Sequence, residues 1–329
     1  MRRYYSLSTY FRARFGRRVQ KVPLDAGFTC PNRDGTLSKT GCVFCNPLGS
    51  GTGLSGSGPS NSGMTLAEQW DFWLARLSKK YKAASFLAYL QSFSNTYGPL
   101  ERLREALEEM LALPGLVGIC LGTRPDCLDR EKIALLASLP VQEVWLEIGL
   151  QSANNQTLKR INRGHDREAF ARAAHMAAKQ DLNVCAHVIA GLPGETLDDF
   201  LATVEFLNRL PVRGVKFHNL YVCQGATLAA WWRRGEFEPL SREEYVAWLV
   251  SALPKLRPDI VLHRLGSDPK PDELLAPDWA SDKQTTLNNL DEALETLDTW
   301  QGKSLFPDRE TPAWFAPDVK PPGVFRAKD

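Results

Sequence analysis

From residue 85 onward the chain alternates short apolar runs with stretches of helical spacing, and that alternation narrows its possible folds more than any other feature. The runs SFLAYLQS (85–92), LVGICLG (116–122), EVWLEIGL (143–150), NVCAHVIAG (183–191) and GVKFHNLYV (214–222) are apolar nearly throughout, not at every second position. Strands buried on both faces read this way. Helical spacing fills the gaps, in PLERLREALEEMLAL (99–113) and near 129–138, 167–179 and 197–209, and TLAEQWDFWLARLSKKY (65–81) precedes the series. Strands alternating with helices build parallel βα units. With a further strand around Lys21 to Gly27 the count is six, so the predicted fold is α/β, a partial TIM-like (β/α)6 barrel. The loops after the strands of such a barrel form its active face. That rule gathers the segment after strand one, Gln91, Thr123 to Asp126, Gln151, GLPGE (191–195) and His218 at one mouth.

Four parts are expected. Residues 1–21 form a basic, aromatic segment, 22–256 the barrel, 257–302 a strand and helix extension, and 303–329 a proline-containing irregular tail. SREEYVAWLVSALPKL (241–256) is spaced as a helix, IVLHRLG (260–266) as a last strand, and KQTTLNNLDEALETLDTWQG (283–302) as a helix closing the barrel's open side. PLGSGTGLSGSGPSNSG (47–63) is too rich in glycine and serine for a helix or strand and is expected to be a mobile loop.

The first 24 residues carry Arg2, Arg3, Arg12, Arg14, Arg17, Arg18 and Lys21 and no acidic residue, although the net charge of the whole chain is only +2. Tyr4, Tyr5, Tyr10, Phe11 and Phe15 are interleaved with them. Two readings stand side by side. Cations for phosphates beside rings for bases suit looped RNA, with Arg12, Arg14, Arg17 and Arg18 as its contacts; alternatively, the segment is a helix whose rings pack on the domain. The seven cysteines are odd in number, no apolar core follows the basic start, and no run of 18 apolar residues exists. Disulfide stapling and membrane spanning are therefore not expected, and the compartment predicted is the reducing cytoplasm.

Three of those cysteines lie in CPNRDGTLSKTGCVFCN, as Cys30, Cys42 and Cys45. Three thiolates on one loop can hold three irons of a [4Fe-4S] cluster and leave the fourth open. A structural zinc site wants four ligands, and only one CxxC is present, with no histidine before His165. Cluster, zinc and unconnected cysteines remain the three readings of the spacing. Cys120, Cys127, Cys185 and Cys223 sit in apolar stretches and read as core. Gly191 and Gly194 could serve a turn, His187 and His218 could be core histidines, and Glu195 could cap a helix. His263 and Arg264 form a basic pair at a strand end, suited to packing or to an anionic substrate.

The run KVPLDAGFTCPNRDGTLSKTGCVFCN, with GTRPDCL, EIGLQSANNQTLKRINRGHD and HVIAGLPGET, resembles the radical S-adenosylmethionine (SAM) superfamily over roughly residues 15–265. The resemblance is strongest to small bacterial proteins of the YhcC/YtqA type, which are similar to the radical SAM domain of the elongator catalytic subunit. It implies a [4Fe-4S] cluster on Cys30, Cys42 and Cys45, with SAM chelating the open iron. It also implies Phe44 beside the adenine, Gln151 and Arg163 on the methionine moiety and ribose, His187 on the ribose, and Gly191 where the backbone passes the adenine. Gln91 and Thr123 join the cofactor-binding set at the strand ends. Arg163 makes sense independently, because a guanidinium forks onto a carboxylate.

Two departures are visible. Eleven residues separate Cys30 from Cys42 where three are usual, as in the elongator-like subgroup, and the strand-two Gly-Gly-Glu element is replaced by Gln91, Ser92 and Ser94. The implied chemistry is reductive cleavage of SAM by an external low-potential electron donor, giving a radical that abstracts hydrogen. The implied substrate is tRNA, at the C5 side chain of a wobble uridine, with conversion of carboxymethylaminomethyl to aminomethyl as the narrowest form. The elongator subunit's acetyltransferase domain has no counterpart in this sequence, so that activity is not carried over. The alternatives are a radical SAM enzyme acting on a small metabolite or tetrapyrrole, and a zinc-stabilised, non-catalytic RNA-binding protein. No protein partner is inferred.

Overall fold

The computed structural model describes residues 2–47, 49, 63–81, 85–307 and 311–315, with only the backbone of 78–81. Apart from residues 47, 49 and 63, the glycine- and serine-rich loop lies outside the described residues. So does the tail at 308–310 and 316–329. Six parallel strands follow in spatial order: β1 (Val19–Leu24), β2 (Ser85–Leu90), β3 (Leu116–Thr123), β4 (Glu143–Gln151), β5 (Asn183–Ala190) and β6 (Gly214–Asn219). After a two-residue strand β7 (Val222–Cys223), β8 (Val261–Leu265) adds in parallel to β6 as the seventh. β7 itself pairs antiparallel with β9 (Leu274–Ala276) in a separate ribbon. The sheet curls into a half-barrel. The expected six units are present, and the strand expected in the extension after residue 256 is β8, which continues the same sheet beside β6.

Each strand has two lives. On β4, Val144, Leu146, Ile148 and Leu150 pack outward with Leu103 and Leu107 of α3 (Leu100–Leu111), Phe170 of α6 (Arg167–Ala178) and Phe200 of α7 (Leu197–Asn208). Trp145, Glu147, Gly149 and Gln151 alternate with them and face the lumen, since successive side chains point to opposite faces. The lumen side of the other strands carries Lys21, Tyr89, Cys120, Cys185, His187, Lys216 and His263. Helices α2 (Leu66–Tyr81), α4 (Arg130–Ala137), α5 (Asn155–Arg160), α8 (Thr227–Arg233) and α9 (Arg242–Ala252) complete the crossovers and the rim.

The basic N-terminal segment is the barrel's floor. Ser6 caps α1 (Leu7–Phe15) by accepting from the Thr9 N–H at 3.2 Å, and Gly16 ends it in the left-handed region at φ 66°. Phe11 is 3% exposed and packs with Val19, Leu87, Val117 and Trp145, the lower ends of the first four strands. Tyr10 donates to Glu143 and meets the Trp145 ring edge-on at 5.7 Å. Tyr4 and Tyr5 are buried as well. The packing alternative is what the rings adopt, because burying each one stabilises by about 1.5–3 kcal/mol, more than an exposed ring in water gains. α1 touches both edge strands, β1 and β8. α10 (Lys283–Thr296), expected to close the open side, instead packs on α9. No described helix is long and apolar enough to cross a membrane.

Candidate cluster and cofactor site

β1 delivers the chain at Leu24 into the cysteine loop, at the barrel end opposite α1. The loop is folded by its own backbone. Arg33 and Asp34 donate to the Cys30 carbonyl at 2.9 and 3.2 Å, Leu37 to Pro31 at 2.7 Å, Gly41 to Asn32 at 2.8 Å and Cys45 to Cys42 at 3.0 Å. It is tied to the rim where Val43 donates to Ile161 at 3.0 Å and Leu228 to Val43 at 2.8 Å. Asn162, at φ 52°, reaches back from Nδ2 to the Gly41 carbonyl at 2.7 Å. All three thiols are free; Cys42 is 3% exposed, and Cys30 and Cys45 are half-buried.

Cys42 is the polar focus. Arg163 Nη1 and Asn32 Nδ2 each donate to its Sγ at 3.5 Å. A hydrogen bond from the Cys45 thiol, then the Arg163 and Arg124 guanidiniums, hold Cys42 well below the usual thiol range. The same hydrogen bond, with burial, pushes Cys45 up. Arg163 Nη2 donates to the Gly149 carbonyl at 2.9 Å, and a Cβ at Gly149 would collide with that nitrogen and lie 2.5 Å from Gln151 Nε2. Glycine there is a matter of space. Arg124, 2% exposed, forks onto Asp126 at 2.9 and 2.8 Å and donates to the Arg163 carbonyl at 2.8 Å. Arg33 donates to the Cys45 carbonyl at 3.1 Å and to that of Asn46.

At the end of β4, Gln151 takes the left-handed conformation, φ 72°, where the β4–β5 register breaks. A non-glycine residue there carries on the order of 1–3 kcal/mol of strain, which surrounding structure must hold and which gathers at functional sites. The next residue, Ser152, donates its hydroxyl to Glu195 of the GLPGE turn, and burial pushes the Glu195 carboxyl up to about 7. Two turns of the mouth are thereby joined.

The sequence-expected residues divide into groups. Cys42, Cys45, Arg163 and Gln151 come together, and Arg124 links them to Cys30, whose charge it feels. Phe44 packs beside Val43, Leu158 and Ile161 on the rim. The Thr123 hydroxyl is taken up by Ser94 at 3.0 Å and Thr96 at 2.6 Å, so it knots two turns. Gln91 donates its N–H to Leu24 at 3.3 Å. Gly191, at φ 81°, turns beneath Leu240, which a Cβ would meet at 2.8 Å. His187 lies deeper, with Nε2 3.1 Å from Glu147. Arg12, Arg14, Arg17 and Arg18 are exposed on the floor, away from the cysteines.

Sequence reasoning passed over Asn32, Glu147 and Lys216, and took Lys21 only as part of the basic start and Arg124 only as part of the loop after strand three. Glu147, Lys21 and Lys216 had a readable signal: a lone charge inside a strand buried on both faces must have an interior partner.

The donor set fits an iron–sulfur cluster. Three thiols, one already favoured as thiolate, stand among three guanidiniums that can offset a cluster's negative charge, and hydrogen bonds to ligand sulfurs are a usual means of tuning one. Among the described residues, Arg163 Nε and Asn32 Oδ1 are buried there without a hydrogen-bond partner.

Comparison with known proteins agrees. The Radical SAM superfamily model matches residues 30–207 and the Radical_SAM C-terminal domain model residues 212–296. The chain belongs to the radical SAM superfamily, whose cofactors, a [4Fe-4S] cluster and SAM, are therefore its own. It is 36% identical over 303 residues to protein YtqA of Bacillus subtilis, covering 92% of each chain. It is 29% identical over 170 residues to the tRNA uridine(34) acetyltransferase of Methanocaldococcus infernus, covering 47% of this chain and 31% of that one. The solved structure of M. infernus Elp3 with an N-terminal deletion superposes with a TM-score of 0.61 at 18% identity, covering 89% of this chain and 68% of that one. That likeness concerns the fold.

Proposed function

We propose that the protein is a tRNA-modifying radical SAM enzyme acting on the C5 side chain of a wobble uridine, in its narrowest form converting carboxymethylaminomethyl to aminomethyl. The observation that carries the substrate class is the similarity of nearly half of the chain to a tRNA uridine(34) acetyltransferase. Cys30, Cys42 and Cys45 would ligate three irons. Phe44, Gln91, Thr123, Gln151, Arg163, His187 and Gly191 would line the place for SAM. When bound, the two cofactors and an external low-potential electron donor supply a radical able to abstract hydrogen from carbon.

The chain's own part is positional. Arg163 and Asn32 fix the Cys42 sulfur from two sides, and Gly149 keeps space for Arg163. The Ser152–Glu195 hydrogen bond holds the strained Gln151 turn. α1 covers the floor between the edge strands β1 and β8, which helps keep water from the lumen, a requirement for any reactive intermediate. Arg12 and Arg14 of α1, the latter also paired with Glu143 at 3.2 Å, and Arg17 and Arg18 just after it would meet phosphates of an RNA that extends down the barrel wall. The test is nucleoside mass spectrometry of tRNA from cells with and without the gene. Accumulation of carboxymethylaminomethyluridine with loss of aminomethyluridine and its methylated product is expected, whereas identical nucleoside profiles would refute the assignment.

A further inference from the structure

Below the cysteine rim the lumen carries a charged layer to which six strands contribute. Glu147 of β4 is fully buried and sits at its centre. Lys21 of β1 and Lys216 of β6 each pair with one of its oxygens. His187 of β5 lies 3.1 Å from one oxygen and His263 of β8 3.6 Å from the other. Lys21 Nζ lies 3.1 Å from His263 Nδ1, so it bridges the two edge strands that share no backbone pairing. Tyr89 of β2 accepts from Lys216 at 3.1 Å, and its ring faces both ammoniums, 4.5 Å from Lys216 and 5.4 Å from Lys21.

The charges do not balance. Two ammoniums meet one carboxylate, and the three imidazoles here are neutral because burial depresses His187 to about 4, His263 to about 3 and His218 well below its usual value; Arg264, nearby, has its own counter-ion in Asp268 at 3.7 Å. Burial lowers Lys216 to about 8 in spite of Glu147, whereas Lys21 is held above its ordinary value, so Lys216 is the less compensated of the two cations. A surplus buried cation is costly unless something anionic completes it. The layer is also reachable. The side chains of Lys21, His187 and Arg264 are 15%, 20% and 31% exposed and that of Lys216, deeper among them, 7%. His218, whose ring is 5.4 Å from that of His187, stands one step nearer the mouth with Nε2 unpartnered among the described residues.

We propose that this layer is the substrate-specificity pocket, in which Lys216, approached past His218 and His187, binds a carboxylate carried by the substrate side chain. The inference rests on the tRNA reading for the identity of that side chain. Glu147 is then the fixed counter-ion that keeps the pocket from holding any anion too tightly, and it selects one charge, not two.

The test compares equilibrium binding of tRNA bearing carboxymethylaminomethyluridine with the same tRNA bearing the neutral carboxamide, using the cluster-loaded full chain. The wild type should prefer the acid by roughly tenfold or more, the range of one charge-assisted hydrogen bond. Lys216→Met should erase the preference, Lys216→Arg should keep part of it, and Glu147→Gln should enlarge it, which a merely structural role would not do. Cluster absorbance and melting temperature establish that each variant is folded. An indifferent wild type, or a folded Lys216→Met that still prefers the acid, overturns the pocket while leaving the tRNA reading intact. Failure to bind either tRNA overturns that reading and the substrate named here with it.

Discussion

Arg163 serves the site through all three of its nitrogens in different ways. One touches the Cys42 sulfur, one holds the Gly149 carbonyl, and Nε is buried without a partner among the described residues. Replacing Arg163 with Ala should leave the cluster able to form but weaken SAM binding by about 1.5–3 kcal/mol, the worth of a hydrogen bond to a charged group. Calorimetry on the cluster-loaded variant checks this, and unchanged affinity removes Arg163 from the SAM site. Glu195 offers a pH test. Its folded value of about 7 stands above the ordinary 4.5, so between these the native state holds a proton the unfolded chain has lost, and stability falls as pH rises. The loss is complete above pH 7. Glu195→Gln should therefore gain roughly 2 kcal/mol relative to wild type between pH 4.5 and 7.5, allowing for partial solvent access. Urea denaturation at pH 5 and pH 8 measures the difference, and a gain equal at both would contradict it.

At the scale of elements, the strands after residue 84 were legible because buried parallel strands leave continuous apolar runs; their ends agree with expectation within a residue or two, except that β6 stops at Asn219, three residues early, and Val222 begins the separate β7. The N-terminal segment was ambiguous because cations and rings suit both RNA and packing; only the fold shows Phe11 and Tyr10 beneath Trp145 and Glu143. α5 and α8 were missed, being only six and seven residues long. The cysteines stood out by their spacing within one loop, which by itself left cluster and zinc both open. The reach of Asn32 from the first loop to the Asn162 carbonyl of the fourth, and of Arg124 from the third loop to the Arg163 carbonyl, was not legible, a proximity no local pattern encodes. Phe11→Ala, which opens a cavity in the floor, should cost about 3–5 kcal/mol. Equilibrium unfolding tests this; a change below 1 kcal/mol would mean that α1 is not part of the core.

For the whole molecule, three levels stack along the barrel axis: an aromatic floor, a charged middle and a cofactor rim. The arginines of α1 and of the turn after it lie at the floor, roughly 20 Å from the cysteines for strands of six residues at about 3.3 Å each. RNA must therefore span the barrel wall to touch both. Changing Arg12, Arg14, Arg17 and Arg18 to Ala should flatten the dependence of log affinity on log salt by about 0.7 for each phosphate that is no longer neutralised, with the cluster retained. Binding isotherms for tRNA across a salt series decide it, and an unaltered slope would confine α1 to its structural role.

Whether Cys30, Cys42 and Cys45 ligate the cluster is decided by iron and acid-labile sulfide per chain after anaerobic reconstitution of the wild type, Cys42→Ala and Cys120→Ala. About four of each, with a broad band near ~400 nm, are expected in the wild type and in Cys120→Ala, whose thiol is buried in the lumen wall, and both should be lost in Cys42→Ala. A full cluster in Cys42→Ala, with loss in Cys120→Ala, would contradict the assignment.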